Sequence, residues 1–549
     1  MKISNYLYLC CFLLFILGCK SEVDLSKRTA PLLPNLGSFQ YNVTTSSDLA
    51  QQYFNQGLIL AYGFNHLEAY RSFNEAAEID SNCVMAYWGM ALVLGPNINA
   101  GMEYSDINPA YRAIQKAIKF SNGVTKKEKD FILALSKRYS KELIENRTSL
   151  DSSYSEAMRQ LSIKYPNDTE VGTLFSESIM DLHPWDYWLK DGTPQPWTKE
   201  IISHLEYVLK LNPEHPGANH LYIHTIEASK NPGRGLEHAD RLRTLIPGAG
   251  HLVHMPSHIY IRVGKYHEGT LANQMAVKSD EAYLNQCNQQ GLYPMGYYPH
   301  NYHFLWATAT LEGRSELAID AALKTSSKPA DSLLSVCGYQ TLQHYKAIPY
   351  YAYVRFGKWD EILNENSPLD EHPYPKGVWH YSRGMAFTAI NQLEKANEEL
   401  NNLNKLKDLG DVNDLTIWGI NSAGNLLKIA SNVLSGEIAA KKKDYKSAIK
   451  LLRKAVELEK SLLYDEPPTW FYPVRHNLGA ILIEAGKYED AEIIFREDLV
   501  EFPENGWALF GLIQSLKKQN KNTEVLSVEK RFKEAWQYAD IKLNSSRII

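Results

Sequence analysis

Cysteine is scarce in this chain of 549 residues: there are six, and three of them, Cys10, Cys11 and Cys19, fall within the first nineteen positions. The other three, Cys83, Cys287 and Cys337, form an odd set without a CxxC pair. That argues against a disulfide framework and against a closed thiolate zinc site, while leaving room for one bridge. An excess of charge of one sign is missing too. With 58 Lys and Arg against 63 Asp and Glu, the net charge of -5 offers nothing to nucleic acid, and 44% hydrophobic residues exclude a disordered chain. The apolar run at the start, Tyr6 to Leu17, falls short of the ~20 residues a membrane-spanning helix needs.

That run follows Lys2 and ends in Ile16-Leu17-Gly18-Cys19, which resembles a bacterial lipobox. The resemblance implies a signal peptide over 1–19, lipidation of Cys19 and a polar tether over 20–36. The implied location is the cell envelope, as an outer-membrane lipoprotein that is periplasmic or surface-exposed and touches the membrane through its lipid. A plain secretory signal with an incidental cysteine is the competing interpretation.

Beyond the tether the chain is repetitive. The tetratricopeptide repeat (TPR), a helix-turn-helix of about 34 residues, carries small residues where its two helices approach and an aromatic that fills the gap toward the next repeat. Gly479, Leu482, Gly486, Tyr488, Ala491, Phe495 and Pro503 fit it best. Gly57, Ala69, Phe73 and Ala76 form an earlier copy, and Gly436, Tyr445, Ala448 and Ala455 a later one. Trp507, Phe510 and Gly511 open a last copy, whose second helix, around Val525 to Tyr538, reads as a polar cap. The expected fold is therefore all-α, a TPR-like right-handed α-solenoid. It divides into an N-terminal array over 37–345 and further repeats with a cap over 346–549. Three proline- and aromatic-rich insertions interrupt it, at Asp181 to Trp197, Gln289 to Pro299 and Tyr464 to Pro473. Such loops either contribute to binding or patch gaps between helices.

Eleven of the 17 histidines lie between His204 and His303. His220 and His224 are one helical turn apart, as are His254 and His258, and His251, His300 and His303 fall at related places in neighbouring repeats. In the repeat frame these seven occupy groove-facing positions of successive first helices, with Glu177, Asp181, Glu227 and His344 nearby. Neutral imidazoles at this spacing suit a divalent transition metal such as zinc, iron, copper or manganese, in an open site that leaves a coordination position free. The expected ligands are His220, His224, His254 and His258, joined by His251, His300 and His303 as further ligands or substrate contacts. Glu177 or Glu227 is the candidate general base. Groove histidines can also bind a peptide carboxylate or carbonyl without metal. Pro256 is expected to kink the helix that carries His251, His254 and His258, or to start it anew.

The phrases FNQGLILAYGFNHLEAYRSFNEAAEID, LGPNIN, HPGANHLYIHTIEAS, PGAGHLVHMPSHIYIRVGKY, PHNYHFLWA and YDEPPTWFYPVRHNLG resemble a group of exported bacterial TPR proteins across nearly the whole mature chain. The resemblance implies fold and compartment but no substrate. Three functions follow as expectations: a lipid-anchored scaffold holding a protein or peptide in its concave groove, a metal-dependent hydrolase or oxidoreductase with its site in that groove, or a glycan-binding lipoprotein similar to the SusD group. The last is disfavoured because repeats run from end to end.

Overall fold

The computed structural model describes residues 28–142, 144, 146–287 and 293–549. The expected signal peptide, Cys19 and the first part of the expected tether lie outside the described residues.

The chain is an all-α solenoid of antiparallel helix pairs. Asp48–Tyr62 packs on His66–Ile79, Pro216–Ile226 precedes Leu236–Leu245, Tyr298–Leu311 pairs with Ser315–Ser327, and Val474–Glu484 with Tyr488–Glu501. Among the described residues, regular strand pairing is confined to the two-residue hairpin of Thr416–Ile417 with Asn421–Ser422. No described helix is long and apolar enough to cross a membrane.

Packing between pairs follows from the repeat chemistry. A Cβ on Gly57 or Gly89 would come within 2.7 Å of the Phe73 ring, and one on Gly479 or Gly511 would strike Phe495 in the same way. One buried phenyl thus wedges between the first helices of two successive repeats, which only glycine lets approach so closely. The turns inside repeats use Gly264, Gly313 and Gly486 at φ +80°, +78° and +73°, a left-handed conformation that glycine adopts without steric cost.

Residues about two hundred positions apart meet as the superhelix comes round. The Tyr266 hydroxyl donates to the Pro503 carbonyl, the Trp507 indole to the Thr310 carbonyl, and Tyr283 to Asn65. The last helix, Asn522–Ala535, is followed by Trp536, which lies over Gly313 and Gly506, and Asp540 accepts from the backbone of Ser315 and Glu316. The expected polar cap therefore also clamps the end of the array onto its middle. The N-terminal side differs from expectation as well. Residues 28–36, assigned to the tether, lie against the first repeat, with Arg28 paired to Glu75, Thr29 donating twice to that carboxylate, and Leu33 donating to Gln56. Buried Glu75 and Gln56 require such partners, and this segment supplies them. Cys83, Cys287 and Cys337 are free thiols.

Candidate metal centre

The histidines reach the interior on three successive first helices. Pro216–Ile226 starts at Pro216 behind a side-chain cap, in which His215 Nδ1 accepts from the Ala218 N–H and Nε2 donates to Glu170. His220 and His224 follow on its inner face. The next helix is divided, as Pro256 suggested: Gly250–His254 carries His251 and His254, and Pro256–Arg262 carries His258. Tyr298–Leu311 supplies His300 and His303.

Six of the seven expected ligands come together. His220, His224 and His251 form one group of donor atoms, and His254, His258 and His300 a second; within each, the atoms lie no more than 4.8 Å apart. A third combination, His224 with Glu227 and His258, meets the same limit. His303 stands apart. Its ring stacks on Trp306 and meets His344 edge-on, and neither nitrogen has a hydrogen-bond partner among the described residues.

Hydrogen bonds fix the tautomers of four of these rings. His220 Nδ1 lies 2.6 Å from the Tyr62 carbonyl, His224 Nδ1 2.8 Å from Glu227 Oε1, His258 Nδ1 2.5 Å from Glu227 Oε2, and His254 Nδ1 2.6 Å from Asn273 Oδ1. Asn273 is held in that orientation because its amide donates to the Gly269 carbonyl. All four partners are acceptors, so each Nδ1 carries the proton and each Nε2 presents a lone pair. The His254 and His258 Nε2 atoms face one another at 2.8 Å, those of His220 and His251 at 3.2 Å, and His224 Nε2 has no partner among the described residues. Two bare lone pairs at 2.8 Å repel unless a proton or a metal cation sits with them. Imidazoles anchored through Nδ1–H to carbonyl or carboxylate oxygens are the arrangement by which proteins aim Nε2 at a metal.

Burial pushes the His220, His251 and His254 pKa values well below the ordinary imidazole value, and neighbouring histidines add to the shift. Burial, helped by His258, brings His300 down to about 3. Burial therefore favours the neutral form of these rings.

The two candidate bases have different surroundings. Both Glu227 oxygens accept from imidazoles. Burial alone would raise its pKa, but His258 and the two hydrogen bonds outweigh burial and keep it ionised. It positions His224 and His258 through one hydrogen bond to each. Glu177 belongs to neither histidine group; its near neighbours are Asp181 and Arg138. Burial and then the Asp181 charge raise its pKa.

A cavity of about 740 Å³ opens onto His224 and His251 of the first group and His258 and His300 of the second. All three insertions build its wall, through Pro184 and Trp185, Met295 to Tyr297, and Asp465 and Glu466. Asn99 ties two of them to the loop 96–101, accepting from the Trp185 indole and donating to the Tyr297 hydroxyl. The Tyr464 hydroxyl lies in hydrogen-bonding contact with both Glu227 and Glu466. Burial, then the Glu227 charge, raises the Glu466 pKa well above the carboxylate range, and burial raises Asp465 to about 6. Sequence reasoning passed over Asn273 and the Tyr62 carbonyl: Asn273 carries no motif, and Tyr62 acts through its backbone.

Fold and site together define a TPR-type α-solenoid with a histidine-lined interior. The sequence profile of the tetratricopeptide repeat matches residues 429–462, within the pair Ala423–Lys441 and Tyr445–Ser461. No curated protein matches the chain. Solved structures similar to it include human IFIT1, as a dimer with m7Gppp-AAAA, at 11% identity and a TM-score of 0.31 over 90% of this chain and 91% of that one. Cut9 in the APC/C hetero-tetramer Cut9-Hcn1 is similar at 13% identity and a TM-score of 0.29, over 89% and 74%.

Proposed function

We propose that this protein is a TPR scaffold that binds a divalent transition metal in its interior histidine cluster and presents it to a ligand in the adjoining cavity. The observation that carries this reading is the set of four imidazoles, His220, His224, His254 and His258, each with Nδ1–H anchored on an oxygen and Nε2 turned into the cluster. Imidazole donors without thiolates suit zinc, copper, iron or manganese, with affinity favouring copper and zinc. The expected lipid anchor at Cys19 belongs to the same proposal and would hold the scaffold at the cell envelope. The protein or peptide partner expected in the groove is narrowed by the cavity, whose volume suits a small molecule or the end of a peptide. A metal held by these imidazoles would supply Lewis acidity beside that cavity, the common starting point of the hydrolytic and oxidative alternatives.

Elemental analysis of the purified protein beside a His254→Ala/His258→Ala variant tests the reading. Near-stoichiometric metal in the parent and a lower metal content in the variant is the expected result. A folded parent that stays metal-free when zinc and copper are offered would refute it.

A further inference from the structure

Resting on that reading, we propose that the cluster holds two metal ions, one on His220, His224 and His251 and the other on His254, His258 and His300, with their open positions turned toward one cavity. The two groups are built alike. Each takes a pair one helical turn apart from one first helix and a single histidine from the first helix of the following repeat, so one step along the solenoid relates the second group to the first. Six imidazoles exceed the four ligands a zinc site ordinarily takes, and their donor atoms fall into two sets of three.

Glu227 lies on the divide. One oxygen accepts from His224 of the first group and the other from His258 of the second, so a single carboxylate orients a ligand of each ion and offsets part of the charge that two cations bring into a buried site. The cavity touches two histidines of each group. Three neutral imidazoles per ion leave the fourth position to a ligand from that cavity, and the ligand class that suits both ions at once is a small bridging oxygen donor such as hydroxide. Soft or borderline ions, copper and zinc, fit such donors; magnesium and calcium do not.

The experiment is a titration of the metal-free full chain with Cu2+, followed by elemental analysis and electron paramagnetic resonance. It is repeated on His220→Ala/His251→Ala and on His254→Ala/His300→Ala, with helical content checked by circular dichroism. Two copper ions per parent chain, with a signal weakened by coupling between them, and one ion with full signal in each variant, is the expected result. One ion in the parent would overturn the pair while leaving the metal reading intact, and would point to His224, Glu227 and His258 as the single site. No retained copper would end both proposals. Because the parent count needs no substitution, a variant that fails to fold leaves the test decisive.

Discussion

Glu227→Gln keeps the length of the side chain but replaces one acceptor oxygen by an amide donor, so one of His224 and His258 loses the partner that fixes its tautomer. Metal affinity, measured by competition with a chromophoric chelator, should fall about 10–100-fold, the usual cost of losing a ligand's supporting hydrogen bond. Glu177→Gln should leave affinity unchanged, since Glu177 lies outside both histidine groups. Asp280 is a buried acid that accepts from Tyr293 and Asn301. Burial moves its pKa from 3.8 to about 7, with Glu281 adding to the rise against those two bonds. Between these values the folded chain holds a proton that the unfolded chain has released, so this group's contribution to stability falls as pH rises, by up to about 1.4 kcal/mol per pH unit, and is level above pH ~7. Urea unfolding at several pH values should show that slope in the parent and a flatter one in Asp280→Asn.

At the level of the element, the short helix Gly250–His254 is placed by what its first residue lacks. A Cβ at Gly250 would lie 1.8 Å from Asp280 Oδ1, so the helix approaches its neighbour only as glycine. Gly250→Ala should destabilise the fold by about 1–3 kcal/mol in denaturant unfolding, the range for overpacking, and weaken metal binding by shifting His251 and His254. The helices themselves were legible from the sequence, because Gly57, Phe73, Gly479 and Phe495 carry a packing code that any copy of the repeat must keep. The divided helix at Pro256 was legible for a local reason, the missing N–H. The segment 28–36 was not: its partners Glu75 and Gln56 sit on other helices, and nothing in its own residues signals them.

Over the whole molecule, the winding of the superhelix determines which side chains share the interior. Periodicity places His220, His251 and His300 on inner faces, but it does not say that Trp185, Tyr297 and Glu466, from three separate insertions, close over the same volume. Those contacts span up to about one turn of the solenoid, as between Tyr464 and Glu227, and depend on a curvature that accumulates from small rotations at every repeat. Glu227 was visible as a carboxylate beside histidines, whereas its two bonds to imidazoles of different repeats emerge only when the repeats stack. Metal that binds the folded chain alone must stabilise it, by about 2.7 kcal/mol at a hundredfold excess over Kd. The thermal midpoint of the parent should therefore rise with added zinc or copper, and that of His254→Ala/His258→Ala should rise less.

The most direct test of a metal centre inside the solenoid is crystallographic: diffraction from copper- or zinc-supplemented protein, collected at that metal's absorption edge. The account predicts anomalous peaks enclosed by His220, His224, His251, His254, His258 and His300, beside the cavity. A folded protein in which these imidazoles show no anomalous peak, or in which the metal sits only on the outer surface, would contradict it.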